Sequence, residues 1–469
     1  MIRAVSAAAL AAAALASPAA AQSVRPDQAA FRELYKELVE INTTLSAGSC
    51  TAAAQAMASR LKAAGFADAD LQVIVPPDRP KDGALVATLK GSDAKAKPIL
   101  LLAHIDVVEA NRADWERDPF KLVEEDGFFY ARGASDDKAQ AAVWTDTLAR
   151  YKTEGFKPRR TIRMALTCGE ETPDTFNGVQ YLIANHRDLM DAQFVLNEGA
   201  GGRLDETGNR VTLGIQAGEK VYQDYALEVT NKGGHSSVPV RDNAIYHLSQ
   251  GLSRFSQYDF PIKLNDAVKA NFERMARIEG GASGEAMAAV ARDPADAQAA
   301  AAVARDPGRN SMMRTTCVAT MVNAGHAPNA LPQRARANVN CRILPGESVE
   351  AVRQTLVKVL ADEAISVTTV GEPSPVSPPP TLGKQIMGPV ETVAARLWPG
   401  VPVVPVMATG ATDGRFLNAI GVPTYGLTGF FGEVGGNGAH GLNEKTRVRS
   451  LYEGRDFLYE VVKLYANGK

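Results

Sequence analysis

The chain has 469 residues, of which 45% are hydrophobic and 22% are charged, and its formal net charge at pH 7 is -2. A chain of this length exceeds one ordinary hydrophobic core, so we expect a globular protein of two domains. The nearly balanced charge, without any run rich in Lys and Arg, argues against a nucleic-acid partner and favours a small substrate or peptide.

The N-terminal residues have the pattern of a secretory signal peptide. Arg3 supplies a positive charge, residues 4–16 are almost all Ala, Leu and Val, and the small residues before Gln22 suit a cleavage site. No later apolar run reaches the roughly 18 to 20 residues of a membrane helix. We therefore predict cleavage after Ala21 and a periplasmic or secreted protein without stable membrane insertion, with an uncleaved anchor as the alternative.

Four cysteines would permit disulfides in such a compartment, but the sequence does not identify the pairs. They are Cys50, Cys168, Cys317 and Cys341. None belongs to a Cys-x-x-Cys motif, so they do not predict a thiolate zinc site. The default interpretation is that each is a small buried apolar side chain.

The first part of the chain alternates helical and strand patterns, which is typical of a mostly parallel sheet covered by helices. A continuous apolar run at 99–108 predicts a strand that is buried on both faces. We therefore predict an α/β fold class. Helices are predicted at 26–45, 51–64, 139–151 and 178–186, and the other strands at 71–75, 84–89, 128–131, 160–167 and 193–196.

The pattern changes after about Gly214, where strands become half-exposed and an Ala-rich helical stretch occupies 264–312. This change predicts a smaller α+β unit inserted into the first domain. The predicted divisions are a signal peptide at 1–21, the first domain at 22–214 and 376–469, and the inserted unit at 215–375. Strands are predicted at 225–230, 317–322, 335–343, 365–370 and 401–406, and helices at 243–255 and 385–397.

Acids and imidazoles stand at the ends of several predicted strands, where an open α/β sheet binds its ligands. His104 and Asp106 end the apolar run, and their spacing of two suits a metal-binding imidazole held by a carboxylate. Alone, this pair equally fits a partly buried His beside a surface Asp. The further groups are Asp136 and Asp137, Glu170 and Glu171, Glu198, and His440 in a Gly-rich loop.

Carboxylates that converge in this way repel one another and raise each other's pKa, so the cluster requires cations. Two divalent ions bridged by one carboxylate would meet that requirement and would activate a water molecule. Imidazole and carboxylate ligands without thiolates suit Zn²⁺, and they are also compatible with Co²⁺ or Mn²⁺. The pattern therefore predicts two Zn²⁺ ions.

Five motifs in this order resemble one known family, the aminoacylase/carboxypeptidase family of co-catalytic di-zinc metallopeptidases. The family includes bacterial glutamate carboxypeptidase, succinyl-diaminopimelate desuccinylase, acetylornithine deacetylase and carnosine dipeptidase. The resemblance covers almost the whole mature chain, and it implies an α/β catalytic domain with an inserted α+β lid and dimerisation domain. The motifs are His104-x-Asp106, Gly133-Ala-Ser-Asp136-Asp-Lys, Glu170-Glu171, Asn197-Glu198 and Gly438-Ala-His440.

The resemblance also implies which residues hold the metal ions. One zinc ion would be held by His104 and Glu198. The other would be held by Glu171 and His440, and Asp136 would bridge the two ions.

Two further residues would act beside the zinc ions. Asp106 would hold the imidazole of His104 in its ligating orientation. Glu170 would be the general base that takes a proton from the metal-bridging water and passes it to the leaving nitrogen. The resemblance also implies a cis peptide bond between Asp136 and Asp137.

In the inserted unit, His235 resembles a family histidine that reaches across a dimer and stabilises the oxyanion in the partner's active site. Asn329 and Arg342 match positions that bind the free carboxylate of the substrate, and Arg415 lies in a turn that resembles the lining of the substrate pocket. A turn histidine and ion-paired arginines are the alternatives. The resemblance thus implies a possible homodimer through the inserted unit.

We therefore expect an exported di-zinc exopeptidase that cleaves an amide bond next to a free carboxylate in a small peptide. At the position of Glu198, the family's dipeptidase and tripeptidase branches resemble one another in having Asp. The Glu in this chain therefore favours a carboxypeptidase or an N-acyl-amino-acid hydrolase. An N-acyl-amino-acid deacylase is the alternative enzyme, and a catalytically silent peptide-binding protein is the alternative from another class. The Ala-rich stretch at 264–312 is longer than the family's lid requires.

Overall fold

The computed structural model describes residues 25–172 and 175–468. The signal peptide predicted for residues 1–21 therefore lies outside the described residues. Across the described ranges, no helix combines the length and the apolar character that crossing a bilayer requires.

The described residues form nineteen β-strands, numbered in chain order. Most of them are short, and the longest have ten residues. They are β1 (Leu71–Ile74), β2 (Ala84–Leu89), β3 (Ile99–His104), β4 (Val123–Glu125), β5 (Phe128–Tyr130), β6 (Ile162–Thr167), β7 (Phe194–Asn197), β8 (Gly202–Leu204), β9 (Arg210–Glu219), β10 (Val221–Thr230), β11 (Gly234–His235), β12 (Thr316–Ala324), β13 (Ala330–Leu331), β14 (Arg334–Ile343), β15 (Ser366–Val370), β16 (Val403–Ala408), β17 (Thr424–Gly426), β18 (Phe431–Gly432) and β19 (Lys445–Arg447).

The same residues form fourteen α-helices. The first ends at Glu40 rather than near residue 45, because the Asn42 side chain accepts a hydrogen bond from the Thr44 amide (2.9 Å) and competes with the helix. The helices are α1 (Pro26–Glu40), α2 (Cys50–Ala63), α3 (Lys138–Thr153), α4 (Gly178–Asn185), α5 (Arg187–Met190), α6 (Ala244–Phe255), α7 (Asp266–Glu279), α8 (Gly281–Arg292), α9 (Ala297–Val303), α10 (Pro307–Met313), α11 (Val349–Leu360), α12 (Lys384–Leu397), α13 (Gly414–Ala419) and α14 (Val448–Asn467).

The larger sheet contains ten strands, and its central strands are parallel. The order is β1-β2-β6-β3-β7-β17-β9-β8-β18, and β16 pairs with β9. Neighbours among β6, β3, β7 and β17 are parallel, whereas β1 and β2 continue the sheet in antiparallel pairs at one end. Helices pack on both faces of this sheet. The predicted α/β fold class is therefore confirmed.

β3 illustrates why the apolar run lies at the centre of this sheet. All six of its residues are buried. Leu101 packs in the core with α1, α3 and α14, whereas Leu100 and Leu102 pack with α4 and α13 on the opposite face. Because successive side chains of a strand point to opposite faces, a strand between two helical layers needs apolar residues at nearly every position.

A smaller sheet of four antiparallel strands is formed by residues between 221 and 370. Its order is β12-β14-β10-β15, and α6 and α11 contribute to its core. β10 alternates buried and more exposed residues, as predicted for a half-exposed strand. β12 is an edge strand whose Val318, Met321 and Val322 are 57%, 70% and 63% exposed. The exact domain boundaries stay a prediction.

The Ala-rich stretch forms the four helices α7 to α10, which pack against the larger sheet rather than the smaller one. They cover β16, whose strand partner among the described residues is β9. Asn271 Nδ2 donates a hydrogen bond to the Pro405 carbonyl (2.7 Å), and Arg274 Nη1 donates one to the Val403 carbonyl. These side chains satisfy carbonyls on the free edge of β16, so the helices protect that edge from pairing with another strand.

Two disulfide bonds correct the expectation of four separate buried apolar cysteines. Cys50 in α2 is bonded to Cys168 after β6, and Cys317 in β12 is bonded to Cys341 in β14. The first two residues are separated by 118 positions, so the pairing follows from the fold and not from any local pattern. Structural disulfides of this kind form in oxidising compartments.

A buried ion pair joins α14 to α3, the helix that begins directly after Asp137. The Arg455 side chain is fully buried, and its Nε lies 2.7 Å from Asp146 Oδ2. Arg455→Met should leave buried Asp146 with only the more distant Arg150, at 3.9 Å, and lower the free energy of unfolding by about 3 to 5 kcal/mol. Urea denaturation monitored by circular dichroism measures this loss.

Arg449→Met on the same helix is the matched control. Arg449 is mostly exposed, and its Nε lies 2.8 Å from Glu453 Oε1. We expect this variant to lower the free energy of unfolding by less than about 1 kcal/mol. Similar losses in the two variants would contradict a special role for the buried pair.

Candidate metal centre

Three parallel strands of the larger sheet end near one another and bring predicted ligands to one edge. His104 is the last residue of β3, Glu171 follows β6 and Glu198 follows β7. Asp136 lies just before α3, and His440 lies in the loop between β18 and β19. Because the carboxyl ends of parallel strands share one edge, residues far apart in the sequence meet there.

Asp136 lies between two imidazoles, with one carboxylate oxygen near each. Its Oδ1 is 3.2 Å from His104 Nε2, and its Oδ2 is 3.3 Å from His440 Nε2. Glu198 Oε2 lies 3.8 Å from His104 Nε2, and Glu171 Oε2 lies 2.9 Å from His440 Nε2. The structure thus brings all five of these residues together, as two sets that share Asp136.

These separations fit residues that share metal ions. Two ligands of one tetrahedral Zn²⁺ ion are roughly 3.3 Å apart, since each lies about 2.0 to 2.1 Å from the metal. Ligand atoms of His104, Asp136 and Glu171 lie within 4.8 Å of one another, and so do those of His104, Glu170 and Glu198. Imidazoles and carboxylates are suitable donors for Zn²⁺, Co²⁺ and Mn²⁺. The residues present therefore fit a pair of divalent cations.

Asp106 supports this group through both its backbone and its side chain. The acceptor closest to His104 Nδ1 is the Asp106 carbonyl oxygen (3.1 Å), and the carboxylate lies farther away (3.6 Å). An Nδ1–H that donates to the carbonyl leaves Nε2 available as a ligand. The Asp106 carboxylate accepts the backbone N–H groups of Glu170 (3.4 Å) and Glu171 (3.0 Å). Asp106 therefore links the end of β3 to the turn after β6.

The electrostatics of the group favour the binding of positive charge. Burial raises the pKa of Glu198 and of Glu171, and neighbouring carboxylates contribute in the same direction. The hydrogen bond with Asp136 and the charge of Glu171 raise the pKa of His440 to about 9. Burial opposes protonation of His104, but the carboxylates around it raise its pKa well above the usual range. Protons and divalent cations would compete for these groups.

Two of the residues predicted to contact the substrate, His235 and Asn329, lie next to each other on the surface. β11 pairs with β13, and the Ser236 amide donates a hydrogen bond to the Asn329 carbonyl (3.0 Å). His235 Nδ1 lies 2.7 Å from Ser237 Oγ, and both His235 and Asn329 are exposed. Within the described ranges, neither side chain makes a hydrogen bond or an ion pair with the five clustered residues.

The two predicted arginines are brought close to each other. The Arg342 guanidinium is 4.7 Å from the centre of the Tyr222 ring, and the Arg415 guanidinium is 4.6 Å from the centre of the Phe416 ring. Burial lowers the pKa of Arg342, the charges of Tyr222 and Asp224 act in the opposite direction, and the positive charge of Arg415 lowers it further. Arg415 Nε is buried and has no hydrogen-bond partner among the described residues. Two neighbouring cations of this kind favour an anionic ligand.

A family model described as peptidase family M20/M25/M40 matches residues 100–464, which is most of the chain. The chain belongs to peptidase family M20/M25/M40. This membership confirms the family recognised from the five motifs. It also confirms the prediction that the protein is an enzyme, a hydrolase of the metallopeptidase and amidohydrolase class.

This M20 chain is similar in sequence or fold to the following three proteins. The N-fatty-acyl-amino acid synthase/hydrolase PM20D1 of Mus musculus is 29% identical over 398 residues, covering 80% of this chain and 76% of its own. The M20 family metallo-carboxypeptidase Sso-CP2 of Sulfolobus solfataricus has a TM-score of 0.69 at 20% identity, covering 93% of this chain and 99% of its own. The Bacillus subtilis protein YXEP, a dinuclear metal-binding peptidase from the M20 family, has a TM-score of 0.60 at 13% identity, covering 93% and 98%. The two structural similarities establish the shared fold.

Sequence reasoning missed Glu444, which supports the Asp136 loop of this M20 chain. Glu444 is fully buried, in the same loop as His440. Its carboxylate accepts the backbone N–H groups of Gly133 (3.0 Å), Ser135 (2.8 Å) and Asp136 (3.0 Å). Glu444 therefore connects the loop of Asp136, one predicted ligand, to the loop of His440, another predicted ligand.

No local sequence pattern indicates this role, because the partners of Glu444 are more than 300 residues away in the sequence. Arg132 supplies a cation 2.8 Å from Glu444, and burial raises the pKa of Glu444 in spite of these contacts. The Asp136–Asp137 peptide bond in the supported loop is cis, as the family resemblance implies.

A cavity of about 380 Å³ opens beside Asp136 and Glu198 in this M20 fold. Its volume is in the range of small-molecule sites. Its wall combines aromatic rings, glycines, cationic side chains and the acidic residues Asp136, Asp137, Glu198 and Glu433, so it offers apolar contact and charges of both signs. The lining includes Phe128, Phe430, Phe431, Gly199, Gly432, Lys445 and Arg447.

Glu444→Ala should raise the Kd for Zn²⁺ by about 10- to 100-fold, the usual effect of removing a residue that supports metal ligands. The three backbone N–H groups would lose their acceptor, so the Asp136 loop would no longer be held in one position. Calorimetric titration of the metal-free protein with Zn²⁺ measures the change.

Glu453→Ala is a suitable control for this measurement. Glu453 is also an ion-paired acid, with Arg449 at 2.8 Å, but it lies in α14 and accepts no N–H from the Asp136 loop. We expect its Kd for Zn²⁺ to equal that of the unaltered protein. An unchanged Kd in Glu444→Ala would show that the loop holds its position without this carboxylate.

Proposed function

We propose that this M20-family hydrolase is an exported two-metal exopeptidase that cleaves an amide bond next to a free carboxylate. One observation carries the proposal: each oxygen of the Asp136 carboxylate faces a different imidazole, at 3.2 and 3.3 Å. A single carboxylate placed between two ligand sets is the arrangement that a pair of divalent cations needs.

The proposed ligands form two sets around Asp136. His104 and Glu198 would hold one cation, and Glu171 and His440 would hold the other. Zn²⁺ is the proposed metal, with Co²⁺ or Mn²⁺ compatible with the same donors. The dinuclear metal-binding peptidase of Bacillus subtilis, which shares the fold, supports the choice of two metal sites. When bound, the cations would polarise the amide carbonyl and lower the pKa of water.

Glu170 is the proposed general base. Its carboxylate lies within 4.8 Å of ligand atoms of His104 and Glu198. Burial raises the pKa of Glu170 well above its usual range, with the charges of Asp413 and Glu171 contributing, so this carboxylate accepts a proton more readily than an ordinary glutamate. It would take a proton from the attacking water and transfer that proton to the leaving nitrogen, which completes the amide cleavage.

Arg342, Arg415 and Asn329 are the proposed contacts of the substrate's free carboxylate. The two guanidinium groups lie close enough for their charges to interact, and Arg415 Nε lacks a partner among the described residues. A guanidinium matches a carboxylate bidentately, so a substrate carboxylate would satisfy this donor.

Hydrolysis of N-acyl amino acids is a second candidate, supported by the cavity beside Asp136 and Glu198. The rings of Phe128, Phe430 and Phe431 give this cavity apolar wall on which an acyl group would pack. The similarity to the N-fatty-acyl-amino acid synthase/hydrolase of Mus musculus supports the same candidate. Both candidates use the same proposed metal ligands and the same proposed base.

A homodimer through the smaller sheet is part of the proposal. β12 is an edge strand with three exposed apolar side chains, Val318, Met321 and Val322. Such an edge favours pairing with a second copy. His235 is exposed and away from the clustered ligands of its own chain, which supports a role in the partner's active site. A monomer in sedimentation velocity experiments would contradict the dimer.

Export is supported by the two disulfides, since such bonds persist in the periplasm or outside the cell. The predicted signal peptide itself lies outside the described residues. N-terminal sequencing of the mature protein tests cleavage after Ala21, and a mature chain that begins at Met1 would contradict it.

Glu170→Gln should lower kcat by about 10² to 10⁴ while two metal ions remain bound, because the base is lost and the proposed ligands are kept. Glu171→Gln is the matched control at the adjacent position, and it should lose metal as well as turnover. Metal analysis of each purified variant beside its rate distinguishes the two effects. Full activity in Glu170→Gln would remove Glu170 from the mechanism.

A substrate panel tests the proposed function directly. We expect chelator-treated protein to be inactive and to regain activity with Zn²⁺ on dipeptides or N-acyl amino acids that have a free carboxylate.

Amide-capped versions of the same compounds should have a higher KM, and Arg342→Ala should abolish that difference. Preference for N-lauroyl over N-acetyl amino acids would favour the second candidate. Binding without product release would support the silent binding protein instead.

A further inference from the structure

Residues 168–171, which include Glu170 and Glu171, form a turn that we call the acid turn. Its first residue, Cys168, is bonded to Cys50, and we call this bond the turn disulfide. Cys168 follows β6, and Cys50 is the first residue of α2. The two cysteines are only 2% and 6% exposed. The bond therefore ties the start of the acid turn covalently to a helix of the main core.

The turn disulfide also packs against Asp106. A carboxylate oxygen of Asp106 and both sulfur atoms lie within 4.8 Å of one another. Asp106 in turn accepts the amides of Glu170 and Glu171 at 3.4 and 3.0 Å, and its carbonyl lies 3.1 Å from His104 Nδ1. Three residues of the proposed site therefore contact Asp106, and Asp106 contacts the disulfide.

The acid turn has little regular structure to hold it in place. It follows the end of β6, and no helix or strand among the described residues contains it. Gly169 has a φ of +89°, and a side chain at this position would lie 2.3 Å from the Phe176 carbonyl oxygen. The Cys168 carbonyl accepts the Gly178 amide at 2.7 Å. Apart from such contacts, the turn depends on Asp106 and on the disulfide.

The other disulfide has a different setting. Cys317 and Cys341 face each other on the paired strands β12 and β14, where the hydrogen-bonded ladder already fixes both strands. This bond belongs to the smaller sheet and closes a separation of 24 residues, compared with 118 for the turn disulfide. The chain thus contains an internal control for loss of a disulfide.

We propose that the turn disulfide is a positioning element of the metal centre. It fixes Asp106 and the acid turn so that Glu171 stays beside His440 and Glu170 stays beside the proposed water site. This inference rests on the proposed function for the roles of the two acids. Without the bond, the protein keeps its fold but loses metal affinity and turnover.

The experiment compares Cys50→Ala/Cys168→Ala with Cys317→Ala/Cys341→Ala, both as full mature chains. Metal-free protein is titrated with Co²⁺, because the visible absorption of Co²⁺ reports the number and geometry of its ligands. For the turn pair we expect the Co²⁺ Kd to rise and kcat to fall by at least about tenfold, with KM nearly unchanged. For the control pair we expect the Kd, the spectrum and kcat of the unaltered protein.

Loss of either disulfide should lower Tm, and more so for the longer loop, so a lower Tm does not report on the metal centre. All titrations are therefore made below both transitions. Equal Co²⁺ affinity in the turn pair and the unaltered protein would overturn the proposal, and so would equal losses in both pairs.

If the turn pair fails to fold, it is replaced by the Cys317→Ala/Cys341→Ala protein, whose one remaining disulfide is the turn disulfide, reduced with a phosphine and alkylated at the two freed thiols. Circular dichroism then shows whether the reduced chain is folded. A folded chain with weakened Co²⁺ binding supports the proposal, whereas a chain that unfolds on reduction contradicts a local positioning role. The Co²⁺ titration requires no substrate. An unaltered protein that binds Co²⁺ but hydrolyses nothing in the panel would therefore refute the proposed function, and the comparison of the two cysteine pairs would still be valid.

Discussion

Buried negative charge at one edge of the larger sheet is the constraint on which the rest of the structure depends. Four carboxylates, those of Asp136, Glu170, Glu171 and Glu198, face two imidazoles there. Burial penalises the charged form of such groups, and their mutual repulsion adds to that penalty. Cations relieve both effects, so the same arrangement that is costly for the empty protein favours the binding of divalent metal.

The loops around this edge are held by residues outside the clustered set. Asp106 connects the end of β3 to the acid turn, and Glu444 connects the Asp136 loop to the loop of His440. Arg455 pairs with α3, which begins directly after the Asp136 loop. Each connection joins segments that are distant in the sequence. Such cross-connections fix the geometry that charged groups need if they are to bind a cation pair rather than move apart.

The Ala-rich helices α7 to α10 give the two sheets an additional connection. Lys220 is the single residue between β9 of the larger sheet and β10 of the smaller sheet. Its Nζ donates a hydrogen bond to the Arg314 carbonyl at 2.7 Å, where the chain returns from α10 to β12. The chain therefore leaves the smaller sheet, covers β16 and comes back beside its first crossing point. Helices α7 to α10 thus protect an edge of the larger sheet, and the hydrogen bond of Lys220 reinforces the junction between the two sheets.

The sequence by itself determined the centre of the larger sheet, most of the helices and strands before residue 200, and the family. It did not predict β8, β9, β17 and β18 of the larger sheet or the C-terminal helix α14. Apolar residues at nearly every position predicted a doubly buried strand at 99–108, of which residues 99–104 form β3. The spacing of the acids relative to strand ends predicted where ligands collect. Tertiary structure alone decided the roles of Glu444, the two cysteine pairs and the position of α7 to α10. These features depend on contacts between residues tens to hundreds of positions apart, and local periodicity carries no information about which distant segments meet.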